Sequence, residues 1–247
     1  MATFSSQVSI DVPSTGQGGG GVRPPAYGGG GDGRGDGFPD YGQRLRRVRL
    51  GLAIGLTSVT MIFVSLTSAY VVRRGLPTLD ERTNAYVRDW IPVDLPIALL
   101  LVNTALLLAS SVTAELARRQ ITRQAALAPV RSIPGVSLGE DKGFPWLATT
   151  VVLGGAFLTG QWMAWHELAD RGFYMATSAS SSFVYLLTAT HAVHLMGGIL
   201  VLLYAAAVSL LNRPVEARRI VVDVTAWYWH FMFLLWLYIF GLVWFVR

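Results

Sequence analysis

The stretch VTAWYWHFMFLLWLYIFGLVWFV, Val224 to Val246, contains no charged side chain. Its length matches one helical crossing of a bilayer, which needs about 20 apolar residues. Because every backbone polar group in hydrocarbon needs an internal partner, a segment this long and apolar is expected to be a helix. Four further uncharged stretches predict the same structure, at 50–72, 95–114, 144–166 and 183–211. The sequence therefore predicts an all-α polytopic membrane protein, a five-transmembrane-helix bundle over residues 44–247.

The composition supports a membrane protein. Of the 247 residues, 52% are hydrophobic and 14% are charged, with a mean hydropathy of +0.45, values that are unusual for a soluble domain. There is no cysteine, which excludes disulfides and thiolate metal sites. The net charge of +5 comes from arginines outside the apolar stretches, so we interpret it as a topology signal and expect no nucleic-acid partner.

The basic residues near the predicted spans are distributed unequally. Twelve lie on the side from which the first, third and fifth spans start, and six lie on the opposite side. By the positive-inside rule, this difference predicts a cytoplasmic N-terminus and, after five crossings, a C-terminus outside. Residues 1–43 are rich in glycine and poor in large apolar side chains, and we expect them to form a disordered cytoplasmic tail.

The predicted spans contain no Asp, Glu, Lys or Arg. Such residues usually mark an intramembrane proton path, so we expect no self-contained path in this chain. The remaining polar groups, apart from hydroxyls, are Asn103, Gln161, His191, His194 and His230. They are candidates for hydrogen bonds between helices or for contacts with lipid or water.

Two interpretations of the histidines are open from the residues alone. His191 and His194 share a helix face with Gly197 and Gly198, which allow close approach of a neighbouring helix. Alternatively, His194 and His230 lie at similar predicted depths and could hold a haem between two helices.

Five motifs in order carry a resemblance to a known family. The final span reads WYWHFMFLLWLYIFGLVWF, and the span before it contains His-x-x-His-x-x-Gly over 191–197. Earlier spans contain TSAYVVRRG, VNTALLLASSVTAE and FLTGQWMAWHEL. Together these motifs resemble subunit III of the haem-copper cytochrome c oxidases, in the short five-helix bacterial form.

The resemblance implies an accessory, non-catalytic subunit of a proton-pumping terminal oxidase that passes electrons from cytochrome c to oxygen. Haems and copper would belong to subunits I and II, with no cofactor in this chain except bound phospholipid. The chain would lie in the bacterial cytoplasmic (inner) membrane. Subunit III of a quinol oxidase, or an accessory protein of nitric-oxide reductase, would have a similar sequence, and a bis-histidine cytochrome is a more remote alternative.

The resemblance also assigns roles to individual residues. Packing on subunit I is expected through small and polar residues of the first two spans, with phospholipid between these spans and the last three. This chain departs from the family in having Val59 and Thr60 where many members carry a glutamate, and Phe233 where many carry an acid. The predicted subunit I contacts are Ser65, Ser68, Asn103 and Ser110, and the predicted lipid or helix-packing residues are Gln161, His191, His194, Gly197, Gly198, Tyr228, Trp229 and His230.

Overall fold

The part of the chain that the structure describes contains five long helices and one short hairpin. The structure, a computed structural model, describes residues 41–80, 84–87, 90–131, 145–210 and 215–245. Within these residues, five helices are long and apolar enough to cross a membrane, as the sequence predicts. The helices are α1 (Tyr41–Gly75), α2 (Ile97–Arg131), α3 (Trp146–Asp170), α4 (Ala179–Leu210) and α5 (Val215–Phe245).

Most helices extend beyond the uncharged stretches that predicted them. The helix α2 continues past Ala114 to Arg131, and α5 begins at Val215 rather than near Val224. The absence of charge marks the part of a helix that lies in hydrocarbon, whereas the backbone hydrogen bonds continue into the polar region. At the start of α4, the Ser178 hydroxyl accepts the Ser181 N–H at 3.2 Å, an N-terminal cap that starts the helix before the predicted position.

The predicted tail over 1–43 lies almost entirely outside the described residues. The described chain starts at Tyr41, already in α1, so the last residues assigned to the tail are helical. Between α1 and α2, strands β1 (Thr78–Asp80) and β2 (Ala85–Val87) form an antiparallel pair. This hairpin is an addition to the predicted all-α fold.

The helices α2, α3, α4 and α5 form a closed ring of neighbours. The helix α2 packs on both α3 and α5, and α4 packs on both α3 and α5. The predicted lipid position between the first two and the last three helices is therefore wrong, because α2 belongs to the same packed unit as α3 and α5. We call these four helices the four-helix ring.

The helix α1 lies against one side of the four-helix ring. Among the described residues it contacts α4 and α5 but not α2. In the apolar 18-residue segment of α1, only 6% is buried. The corresponding value is 33% for each of the other four helices. Its main buried side chains are Phe63 and Tyr70, so two aromatic rings anchor a helix that otherwise faces outward.

Candidate helix-packing and lipid site

The indole of Trp229 contacts the three other helices of the four-helix ring. Its exposed fraction is 0%. The Nε1–H donates to Ser110 Oγ on α2 at 3.0 Å, and the Ser110 hydroxyl donates to the Thr150 carbonyl oxygen on α3 at 3.1 Å. A buried indole N–H needs such a partner, and these hydrogen bonds satisfy it while joining three helices.

Two glycines make room for the Trp229 ring. A Cβ atom on Gly154 of α3 would lie 2.9 Å from Trp229 Cη2, and one on Gly198 of α4 would lie 3.1 Å from Cζ3 and 2.8 Å from Tyr228 Cε1. All three distances are shorter than the roughly 3.5–4.0 Å of a favourable carbon–carbon contact. A Cβ on Gly197 would have no neighbour within 4 Å among the described residues, so only Gly198 of the predicted pair lies at a close helix contact.

Two of the residues predicted to contact subunit I lie inside this chain. Ser110 and Asn103 have exposed fractions of 0% and 1%. Ser110 bonds to α3 and α5, and the Asn103 amide lies against Gly160 of α3. The prediction that these two contact another subunit is therefore wrong: small and polar residues do mark close helix contacts here, but the contacts are within the chain. Ser65 and Ser68 are exposed on α1.

Charged side chains join α1, α2 and α5 at the ends predicted to face the cytoplasm. Arg49 of α1 pairs with Asp223 of α5 at 2.8 Å, and Arg118 of α2 reaches the other oxygen of Asp223 at 3.4 Å. Arg118 also pairs with Glu115 at 2.7 Å, and His230 Nε2 lies 3.5 Å from the same Glu115 oxygen. We call Arg49, Glu115, Arg118 and Asp223 the charged cluster; His230 lies beside it. The charged cluster ties the start of α1 to the four-helix ring, where α1 has few buried contacts.

The imidazoles of His194 and His230 face different helices. His230 Nδ1 lies 2.6 Å from Ser111 Oγ on α2. The Nδ1–H of His194 donates to the Thr190 carbonyl oxygen in its own helix at 2.7 Å, and its ring lies 6.0 Å from the Phe63 ring on α1. Because one imidazole is directed at α2 and the other at α1, they do not share a site. The bis-histidine haem alternative therefore lacks the geometry that it requires.

The other predicted residues of α4 and α5 are also in contact with neighbouring helices. The Tyr228 hydroxyl donates to the His194 carbonyl oxygen at 2.9 Å, which connects α5 to α4. The His191 ring is fully buried, with ring centroids 5.9 Å from Phe157 and 5.4 Å from Trp236. These contacts are those of a packed helix interface.

Gln161 is buried, with an exposed fraction of 3%. The sequence predicts either a hydrogen-bonded bridge to a neighbouring helix or a contact with lipid or water. Its Oε1 atom instead has no hydrogen-bond partner among the described residues. The amide therefore lies within the four-helix ring without the expected bridge.

Several residues of the site were not identified from the sequence. Gly154 belongs to a Gly-Gly pair within an apolar span, which was a usable signal for close helix contact. Arg49 and Asp223 each lie next to an apolar stretch, where a charged residue is expected in any membrane protein. Their pairing could not be predicted, because it depends on which helices are neighbours.

Comparison with known proteins assigns the chain to a family. Residues 42–246 match the family described as cytochrome c oxidase subunit III. The chain belongs to this family. It is 26% identical over 207 residues to the probable cytochrome c oxidase subunit 3 of Nocardia farcinica, covering 83% of this chain and 90% of that protein. The protein of the same name in Mycobacterium leprae is 24% identical over 207 residues with the same coverage, and cytochrome c oxidase subunit 3 of Corynebacterium diphtheriae is 25% identical over 206 residues, again with 83% and 90% coverage.

The family match confirms the resemblance predicted from the sequence. Together with the five apolar helices, it also confirms the predicted fold class. The protein is a subunit III of a haem-copper oxidase, a multi-pass membrane protein that assembles with other oxidase subunits. Its enzymatic role is that of the complex, which is an oxidoreductase of aerobic respiration. In this subunit III, the predicted packing residues Tyr228, Trp229 and His230 connect α5 to its neighbours.

The close contact at Gly198 predicts that a single methyl group destabilises subunit III. We expect Gly198→Ala to lower the free energy of unfolding by about 1–3 kcal/mol, the usual cost of overpacking. The added Cβ would collide with Tyr228 and Trp229. The matched control is Gly197→Ala, which makes the same change in helix propensity at a position with open space. The measurement is the thermal unfolding midpoint of the purified protein, and equal midpoints for the two variants would contradict the prediction.

Proposed function

We propose that this chain is a non-catalytic subunit that packs on subunit I of the oxidase and binds structural phospholipid. In this proposal the haems and copper belong to subunits I and II, and the electrons from cytochrome c reach oxygen there. The proposal rests mainly on α1, which exposes most of its apolar surface although it is tied to the four-helix ring at several points. A helix held in this way offers a face to a partner in the membrane.

The exposed face of α1 has features of a helix-packing surface. A shallow groove runs along the surface of α1 itself, with hydroxyl and small side chains including Thr57, Thr60, Ser65, Ser68 and Ala69. The hydroxyls of Thr57 and Thr60 donate to backbone carbonyl oxygens in α1 itself, so they are satisfied without a partner. Small residues of this kind let helix backbones approach closely in lipid. We propose that a transmembrane helix of subunit I occupies this groove.

Bulky substitutions in the groove test the contact with subunit I. We expect the double variant Ser65→Leu, Ser68→Leu to lose subunit III from the purified oxidase, because the larger side chains would hold the two helices apart. Thr159→Leu is the control, since Thr159 is an exposed hydroxyl residue on α3, away from α1. The measurement is the ratio of subunit III to subunit I after affinity purification through subunit I. Stoichiometric recovery of the double variant would place the interface elsewhere.

A phospholipid site is proposed beside α1. The helices α1 and α2 are not in contact among the described residues, yet Arg49 and Arg118 both reach Asp223 at one end. An acyl chain can lie along the apolar sides of α1 and α2, with its anionic headgroup near these cations. Half of the Arg49 side chain surface is exposed, which leaves it accessible to a headgroup.

Loss of the Arg49–Asp223 pair tests the lipid site. We expect Arg49→Gln to release phospholipid from subunit III, because α1 would lose its ionic connection to α5 and the headgroup would lose a cation. Arg44→Gln removes the same charge from an exposed position of α1 and leaves the pair intact, so it should retain the lipid. Native mass spectrometry of the complex measures bound phospholipid, and equal retention in both variants would argue against a site at Arg49.

The proposed orientation places the charged cluster at the cytoplasmic face of a bacterial inner membrane, with the C-terminus outside. The unequal distribution of basic residues supports it. The chain has no native cysteine, so single cysteines can be introduced at two exposed positions, Arg123→Cys and Tyr174→Cys. We expect an impermeant maleimide added to intact cells to label position 174 and not position 123. The opposite result would reverse the topology.

A further inference from the structure

A small cavity lies within the four-helix ring. Its volume is about 30 Å³, and residues of α2, α3, α4 and α5 line it. Two of these residues, Gln161 and Thr188, are polar, and two are tryptophans, Trp165 and Trp236. The other lining residues are mostly aliphatic. This cavity is separate from the Trp229 contact and from the charged cluster.

The amide oxygen of Gln161 is buried without a hydrogen-bond donor among the described residues. Gln161 is 3% exposed, and its Oε1 has no hydrogen-bond partner among the described residues. A buried acceptor without a donor costs about 1–3 kcal/mol, and water is scarce in this region of the membrane. A donor near this atom would remove the cost.

The donors on the cavity wall are already engaged elsewhere. The Trp236 Nε1–H donates to Thr104 Oγ1 at 3.0 Å, and the Trp165 Nε1–H donates to Thr188 Oγ1 at 3.1 Å. The Thr188 hydroxyl itself donates to the Val184 carbonyl oxygen at 2.7 Å. None of these groups has a proton left for Gln161. Thr188 Oγ1, however, has two lone pairs, and one of them can accept a further hydrogen bond.

We propose that this cavity is a water-binding site, in which one or two water molecules donate hydrogen bonds to Gln161 Oε1 and Thr188 Oγ1. A water molecule needs about 10–15 Å³ of such volume and two to four polar partners. The cavity meets both conditions, and it is too small for a lipid chain or another organic ligand. Apolar cavities stay empty, whereas a cavity with an unpaired amide oxygen favours hydration.

Two further polar residues of the four-helix ring lie outside the lining of the cavity. Asn103 lies against Gly160, the residue before Gln161, and His191 lies against Trp236. Both side chains are buried, and their nitrogen and oxygen atoms have no hydrogen-bond partner among the described residues. The proposed water contacts Gln161 and Thr188, because these polar residues line the cavity.

Radiolytic labelling can detect this water. X-ray exposure splits water in place, and the hydroxyl radical oxidises the side chain that the water touches. In the purified oxidase, exchanged into water labelled with oxygen-18, we expect the label on Trp236, which lines the cavity although it is only 1% exposed. Trp229 is an internal control, since it is equally buried but packs against Gly154 and Gly198. Mass spectrometry with residue resolution compares the two, and we expect Trp236 to carry more label.

The variant Gln161→Leu connects the label to the amide. Leucine has no hydrogen-bonding amide and competes only weakly with tryptophan for hydroxyl radical, so we expect the Trp236 label to fall to the level of Trp229. Gln120→Leu is the matched control on α2, at a position that does not line this cavity, and it should leave the label unchanged. Equal labelling of Trp236 and Trp229 in the unmodified oxidase would overturn the proposal without any variant. A Trp236 label that persists in Gln161→Leu would also overturn it.

Discussion

The packing of the four-helix ring depends on how one large, fully buried indole, that of Trp229, is accommodated. Trp229 must satisfy its N–H and find space for a flat, bicyclic ring. Ser110 meets the first need, and Gly154 and Gly198 meet the second, each from a different helix. Because three helices contribute, their spacing and rotation are fixed together. The four-helix ring is therefore organised around α5, whose aromatic face carries the contacts to α2, α3 and α4.

The peripheral position of α1 follows from the completeness of this ring. Because α2, α3, α4 and α5 pack on one another, the helices that α1 contacts among the described residues are α4 and α5, on their outer sides. Phe63 and Tyr70 fill the contact in the middle and at one end, and the Arg49–Asp223 pair connects the other end. A helix attached in this way is suited to mediate between the ring and another subunit. It can contact a partner without disturbing the ring's internal hydrogen bonds.

The polar residues of the spans serve different purposes according to depth. Ionised groups occur where water or headgroups can reach them, and there they pair across helices, as Glu115 and Asp223 do. Deeper in the four-helix ring the polar groups are hydroxyls, indoles, amides and imidazoles. Hydroxyls pair with indoles, as in Ser110 with Trp229 and Thr104 with Trp236. Gln161, Asn103 and His191 depart from this pairing among the described residues, and the cavity proposed to hold water lies beside Gln161.

The sequence by itself determined the five helices, the membrane environment and the family, because each depends on local properties: the length of an apolar stretch, the absence of charge within it and the order of short motifs. It also identified residues of the α4–α5 contact, since Gly198, Tyr228 and Trp229 combine a missing side chain with large aromatic ones. Tertiary structure alone decided which face of each helix is internal. The helical period allows small residues on any face, and a lipid-facing surface is as apolar as a packed one. For that reason Asn103 and Ser110 could be recognised as contact residues, while their partners, α3 and α5 of the same chain rather than another subunit, emerged only once the helices were packed.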